Sequence, residues 1–191
     1  MDFRLSEEDL DLKQMARDLA TKRIYPIAEE MDEHGETPRE LIDECAELGY
    51  FGFTVPEEYG GLGMNSTSLM GVLEEICAAS AGFGIMLSVH NSLCCEIIKL
   101  FGSEELKQRY LPEMAAGTRI GAYCITEPDA GTDVASLKTT AVLQGEEWVL
   151  NGTKSYVTNG AFAGIFVVFA KTDPAAGHKG ISCFLVPAGT P

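Results

Sequence analysis

Ile120-Gly121-Ala122-Tyr123-Cys124-Ile125-Thr126-Glu127-Pro128-Asp129-Ala130-Gly131-Thr132-Asp133 is where the chain changes character. Its first six residues are small, β-branched or aromatic, which suits a short strand. Pro128 has no amide hydrogen to give to a ladder, so the strand is expected to stop at Glu127-Pro128. Gly131 adds backbone freedom and room for a bound group to come close. Thr132 and Asp133 then set side-chain oxygens beside backbone N–H groups. A strand ending this way offers donors and acceptors to a polar, planar or phosphorylated ligand. An ordinary loop closed by Pro and Gly satisfies the same pattern.

Downstream the period is that of strands, expected over 120–126, 137–143, 147–151, 154–159, 165–170 and 181–186. Gln144-Gly145-Glu146 is one hairpin candidate. Asn151-Gly152, inside Trp148–Asn159, is a second and carries a strong short-range hairpin signal. On a strand over 154–159, Tyr156 and Thr158 share parity and face one way. A ring beside a hydroxyl suits a flat heterocycle, and equally suits an ordinary sheet face. Ile165-Phe166-Val167-Val168-Phe169 is an unbroken apolar run, expected to be buried on both faces.

Upstream the period is helical. Ser6 is expected to cap a first helix, with Leu12, Met15, Ala16 and Leu19 on one stripe and a bend at Tyr25-Pro26. The acidic tract Glu29–Glu36 reads as a solvated face and loop. Thr37-Pro38 opens a helix carrying Leu41, Ile42, Cys45 and Leu48, and Gly49 closes it. Gly60-Gly61-Leu62-Gly63 lacks the Lys-Ser/Thr of a phosphate loop and reads as a turn. Asn65 or Ser66 caps the next helix. Ile85–Phe101 is apolar around most of its girth and is expected to be the central helix of a bundle. His90-Asn91-Ser92 interrupts it and is expected to be satisfied by nearby backbone. Ser103 caps a final helix before Pro112 and Gly117.

Charge divides the chain at the same place. Residues 1–120 hold 23 of 29 acids and 10 of 14 bases, and residues 121–191 hold 6 and 4. The division expected is a helical domain over 1–118 and a β domain over 119–191, hence an α+β chain. A net charge of −15 argues against nucleic acid or an anionic membrane as partner. The six cysteines form no C-x-x-C pair and, with three scattered histidines, suggest no metal site. Neither a leader pattern nor an apolar run of membrane-spanning length is expected, so the simplest setting is reducing and cytoplasmic.

Three stretches together resemble the acyl-CoA dehydrogenase family. They are Tyr123–Asp133, Asn151-Gly152-Thr153-Lys154-Ser155-Tyr156-Val157-Thr158-Asn159, and Val55-Pro56-Glu57-Glu58-Tyr59-Gly60-Gly61-Leu62-Gly63. The resemblance implies a helical N-terminal domain, a β-barrel-like middle domain that Pro191 leaves incomplete, and a C-terminal four-helix domain lying outside the chain. It implies FAD as cofactor, with Tyr123, Ile125, Thr126, Gly131, Thr132, Tyr156, Val157 and Thr158 around it. Backbone and hydroxyls near Ile125 and Thr126 would meet the pyrimidine end of the flavin. Thr132, where serine is more usual, would touch the pyrophosphate region and the bound thioester. Tyr156, where tryptophan is frequent, would pack on the ring, and Thr158 would bond near N5.

The chemistry implied is removal of an α-proton from an acyl-CoA coupled to hydride transfer to flavin N5. The family draws its catalytic carboxylate from the C-terminal domain, so no catalytic residue is expected here and Glu127 is read as structural. Electron-transfer flavoprotein as acceptor and a homotetramer are implied for the full-length protein. A non-catalytic truncated paralogue serving as a binding or assembly module, and an acyl-CoA oxidase-like relative, share the same motifs. Acyl chain length is not read from this sequence.

Overall fold

The computed structural model describes residues 5–191. The described residues up to Arg119 form one compact unit, and Ile120–Pro191 form another.

The first unit is helical. Helix α1 (Glu7–Leu19) starts at Ser6, whose hydroxyl accepts from the Asp9 amide while the Asp9 carboxylate accepts from the Ser6 amide. This reciprocal cap satisfies two donors that a helix end otherwise leaves open. The chain continues through a wider π-type turn, Ala20–Ile24, and a tight turn at Tyr25–Ile27, so the bend expected at Pro26 is present. The acidic tract is more ordered than its composition suggests. It forms α2 (Ala28–His34), which buries Met31 and ends at Gly35 with φ 66°. Helix α3 (Arg39–Glu47) has Pro38 rather than Thr37 at its cap, one residue later than expected and with no capping side chain.

Tyr50, Phe51, Phe53 and Val55 then run irregularly through the interior. Gly60 and Gly63 take φ 82° and 64°, and a Cβ on Gly61 would lie 2.1 Å from the Val55 carbonyl oxygen. The glycine run is a packed turn. Helix α4 (Ser66–Ala79) is capped by Asn65, and its face against α1 carries the Lys13–Glu74 and Arg17–Glu75 pairs. Pairs this close to solvent contribute little, and the apolar stripe Leu69, Val72, Leu73 and Ile76 does most of the holding.

Helix α5 (Ala81–Ser88), a π-type stretch Val89–Cys95 and α6 (Glu96–Phe101) form one continuous rod of 21 residues. Its length and mean hydropathy of 1.3 reach those of a membrane span, contrary to expectation, yet half of its most apolar window is buried inside the unit. Polar side chains tie it there. Asn91 donates to the Tyr50 and Leu87 carbonyls and accepts from the Phe53 amide. His90 bonds the Met114 carbonyl oxygen, and burial pushes its pKa down to about 4, so it is neutral. Ser92 bonds back to Ser88. The polar interruption is satisfied by backbone, as expected. Helix α7 (Glu104–Ala115), capped by Ser103, completes the unit with Tyr110, Leu111 and Met114 inside.

The second unit is a mixed sheet of β1 (Gly121–Cys124), β2 (Thr140–Gln144), β3 (Glu147–Asn151), β4 (Ile165–Lys171) and β5 (Ile181–Pro187). Strand β4 is the spine. It runs parallel to β1 with Gly121 opposite Ile165, antiparallel to β5 with Ile165 opposite Pro187, and meets β2 where Lys171 faces Thr140. β2 and β3 form the hairpin around Gly145, at φ 67°. Burial along β4 is divided between its two faces: Ile165 and Val167 are buried on one and Ala170 on the other, while Phe166, Val168 and Phe169 are half-buried. The expectation of burial on both faces is therefore met only in part; on the face of Ile165 and Val167, Phe169 stays half-buried with its ring 5.3 Å from that of Tyr123.

Candidate functional site

β1 ends at Cys124, sooner than its sequence suggests. Glu127 and Ala130 exchange backbone hydrogen bonds of 2.9 and 3.1 Å and close Pro128-Asp129 into a tight turn. Gly131, Thr132 and Asp133 follow in an exposed, irregular path. Gly131 does not take a positive φ, and a Cβ built on it meets nothing within 4 Å. Its expected conformational freedom is therefore not used here. What it contributes is open space.

The stretch expected as a strand over 154–159 is not one. β3 finishes at Asn151, and the chain then runs irregularly to Gly164. Gly152 is packed so tightly that a Cβ would lie 2.2 Å from Thr139 Oγ1. Tyr156 and Asn159 both have left-handed backbones, φ 55° and 68°. No hairpin forms at Asn151-Gly152, and the parity argument for Tyr156 and Thr158 lapses with it.

This segment serves β1 in a different way. On the side of β1 away from β4, side chains replace a ladder: Asn159 Nδ2 donates to the Gly121 carbonyl at 2.9 Å, and Lys154 Nζ to the Ile125 carbonyl at 3.1 Å. One backbone bond joins them, Ser155 N–H to Thr126 O at 2.9 Å. Buried main-chain acceptors need partners, and a chain kinked at two left-handed positions supplies them by side chain.

Glu127 joins the two segments. Its side chain is 5% exposed and that of Lys154 11%, with 2.7 Å between Oε1 and Nζ. The same carboxylate accepts from the Lys138 amide at 2.5 Å and the Thr139 amide at 3.0 Å. Burial alone would raise the Glu127 carboxyl, but bonds from Lys154, Thr139 and Lys138 outweigh it and hold the group at about 2. Because this lies below the ordinary 4.5, the charged form is favoured by folding. Its stabilisation is complete above about 4.5 and is lost as pH falls toward 2. Urea midpoints between pH 6 and 2.5 should fall more steeply for the native chain than for Glu127→Gln. Parallel curves would show the carboxylate to be unlinked to folding.

The sequence-derived residues are distributed as follows. Tyr123 lies half-buried against Phe169, and Ile125 and Thr126 are half-buried at the exit of β1. Gly131 and Thr132 are exposed on the loop. Tyr156 is 93% exposed, with Val157 and Thr158 half-buried behind it. The structure brings Ile125–Glu127 directly against Lys154-Ser155. The hydroxyls of Thr126, Thr132 and Thr158, and the Gly131 and Thr132 amides, have no hydrogen-bond partner among the described residues. Among those residues no group of three or more His, Cys, Asp or Glu is placed to hold a metal.

The sequence singled out no individual role for Lys154 or Asn159, and it pointed to Gly152 only as part of a hairpin turn. No local signal announced the first: Glu127 and Lys154 each sit among polar neighbours, 27 positions apart in the sequence.

Residues 6–118 match the family model described as acyl-CoA dehydrogenase, N-terminal domain, and residues 122–191 match the middle domain of the same family. The chain belongs to the acyl-CoA dehydrogenase family. Among members of the acyl-CoA dehydrogenase family, a short-chain-specific enzyme of Clostridium acetobutylicum is 43% identical over 189 residues, covering 99% of this chain and 50% of the relative. A chain in the structure of the electron-transferring flavoprotein of Acidaminococcus fermentans superposes with a TM-score of 0.95 at 46% identity, over 100% of this chain and 50% of that one. A glutaryl-CoA dehydrogenase of Mycobacterium smegmatis, solved with FADH2, gives 0.90 at 38% identity, over 98% and 47%. The chain thus spans about half the length of the relatives and solved chains it matches.

Proposed function

We propose that the exit of β1 and the segment 153–159 hold the flavin of FAD, in a protein that dehydrogenates an acyl-CoA between its α and β carbons. One observation carries the reading. Two segments distant in sequence are fastened side by side, and around them stand an exposed tyrosine on a left-handed backbone, three hydroxyls without partners and an unobstructed glycine. A non-glycine residue held at positive φ with its ring in solvent is strain that packing within the chain does not explain, and such strain clusters at ligand sites.

The residues fit the group. Tyr156 offers a flat face for a tricyclic ring. Thr126 and Thr158 offer hydroxyls to its heteroatoms, with Tyr123, Ile125 and Val157 bordering them. Gly131 and Thr132 would offer amides to a pyrophosphate, with open space at Gly131 for its approach, and Thr132 would also hold the thioester. When bound, the flavin supplies the hydride acceptor. This chain orients it, and donors at the pyrimidine end stabilise charge that accumulates there.

The reading includes 1–118 as the helical domain and 119–191 as the start of the middle domain. It also includes electron-transfer flavoprotein as acceptor, assembly as a homotetramer, and a cytoplasmic setting consistent with six free cysteines.

Titration of the chain with FAD, followed by flavin fluorescence, tests this. Saturable one-to-one binding is expected. Because a Cβ at Gly131 meets nothing in the chain, Gly131→Ala should keep the native urea midpoint. It should weaken FAD by roughly tenfold, the equivalent of ~1.4 kcal/mol of lost close contact. No saturable binding by the native chain would contradict the proposal.

A further inference from the structure

Two lysine–carboxylate pairs flank this region, and they differ in kind. Lys138–Asp129, at 2.7 Å, has side chains 72% and 69% exposed. Solvent and side-chain entropy leave such a pair with little to contribute. Lys154–Glu127 spans the same distance at 11% and 5% exposure. Its carboxylate is shared with the amides of residues 138 and 139, and its ammonium with the Ile125 carbonyl. One ion pair therefore gathers three stretches: the exit of β1, the approach to β2, and the segment after β3. A shielded pair of this kind is weak evidence for net stability, because desolvation offsets much of its attraction, but its geometry is specific.

We propose that Glu127 and Lys154 are positioning residues, a latch fixing how the 153–159 segment lies against the exit of β1 and so aligning the two halves of the cofactor site. The inference rests on the flavin reading above, and it goes beyond it by assigning the alignment to a pair that need not touch the ligand. The arrangement requires something of this kind. No ladder connects the segments. Beside the latch, the bonds that join them include the Ser155–Thr126 backbone bond and, at the far end of β1, the Asn159–Gly121 bond. Lys154 Nζ reaches Ile125 and Glu127 together, so its removal releases both at once. Tyr156, two residues on, holds a left-handed backbone that an unfastened loop would abandon.

The test is FAD affinity and the visible circular dichroism of bound flavin, measured for the native chain, Glu127→Gln, Lys154→Met and the double variant, with Lys138→Met as the exposed-pair control. Urea midpoints are taken on the same samples. Each single variant should weaken FAD by about 10- to 100-fold, the usual reach of a supporting residue. The double variant should lose no more than the worse single one, because both remove one interaction. The flavin dichroism should change in shape, Lys138→Met should match the native chain, and Lys154→Arg should recover part of the affinity. A merely structural pair would lower the urea midpoint while leaving affinity and dichroism as they were, and that result overturns the latch. An equal loss in Lys138→Met overturns it as well. If either single variant does not fold, Lys154→Arg, which keeps the charge but moves the donors, is read by the same criterion against the native chain. If the native chain itself binds no FAD, the flavin reading fails and the latch with it. Native binding with unchanged variants removes the latch alone.

Discussion

Asn91→Ala should destabilise the helical unit by about 3 to 5 kcal/mol, since each buried backbone group left without its partner costs about 1–3 kcal/mol. Asn91 is fully buried and makes three hydrogen bonds: Nδ2 to the Tyr50 carbonyl at 2.8 Å and to Leu87 at 3.1 Å, and Oδ1 from the Phe53 amide at 3.1 Å. Tyr50–Val55 is irregular chain in the interior, so it has no ladder to absorb the loss. The neighbouring Ser92→Ala removes an exposed hydroxyl bonded only to Ser88 and should fall within about 0.5 kcal/mol of the native chain. Urea denaturation followed by helical circular dichroism reads both. A cost for Asn91→Ala below about 1 kcal/mol would mean the Tyr50–Val55 chain finds other partners.

Tyr156→Gly should separate stability from ligand binding. At φ 55° a side chain costs about 1–2 kcal/mol that glycine avoids. Glycine loses about 0.5–1 kcal/mol more backbone entropy on folding. The ring is 93% exposed, so its removal costs almost no packing. The sum is a protein as stable as the native chain or slightly more so. FAD affinity should nonetheless fall at least about tenfold, because a flat base resting on an aromatic ring gains about 1–3 kcal/mol. Equal affinity in the variant would show that the ring has no part in holding the cofactor, and that its backbone strain has another origin.

The fold was largely legible because its signals were local. Ser6, Asn65 and Ser103 each cap the helix their sequence announced, since a side-chain oxygen there meets amides two or three residues away. The strands of the second unit followed from composition and turn residues. The site was legible as a set of motifs but not as a geometry. Asn151-Gly152 carries a hairpin signal, yet the tertiary contact between Gly152 and Thr139 fixes that glycine instead. Tyr156 and Thr158 were aligned by strand parity, and that parity fails once two residues turn left-handed. Lys154 appears in sequence as one lysine among many. Its importance comes from burial beside Glu127, a residue 27 positions away that local patterns do not connect.

What remains central is that residues 125–132 and 153–159 act as one flavin platform. Backbone amide chemical shifts recorded during an FAD titration test it most directly. Both segments should move together, saturating at the same FAD concentration, while β2, β3 and the helical unit stay largely still. Shifts confined to one segment, or gathered elsewhere in the chain, would contradict the assignment.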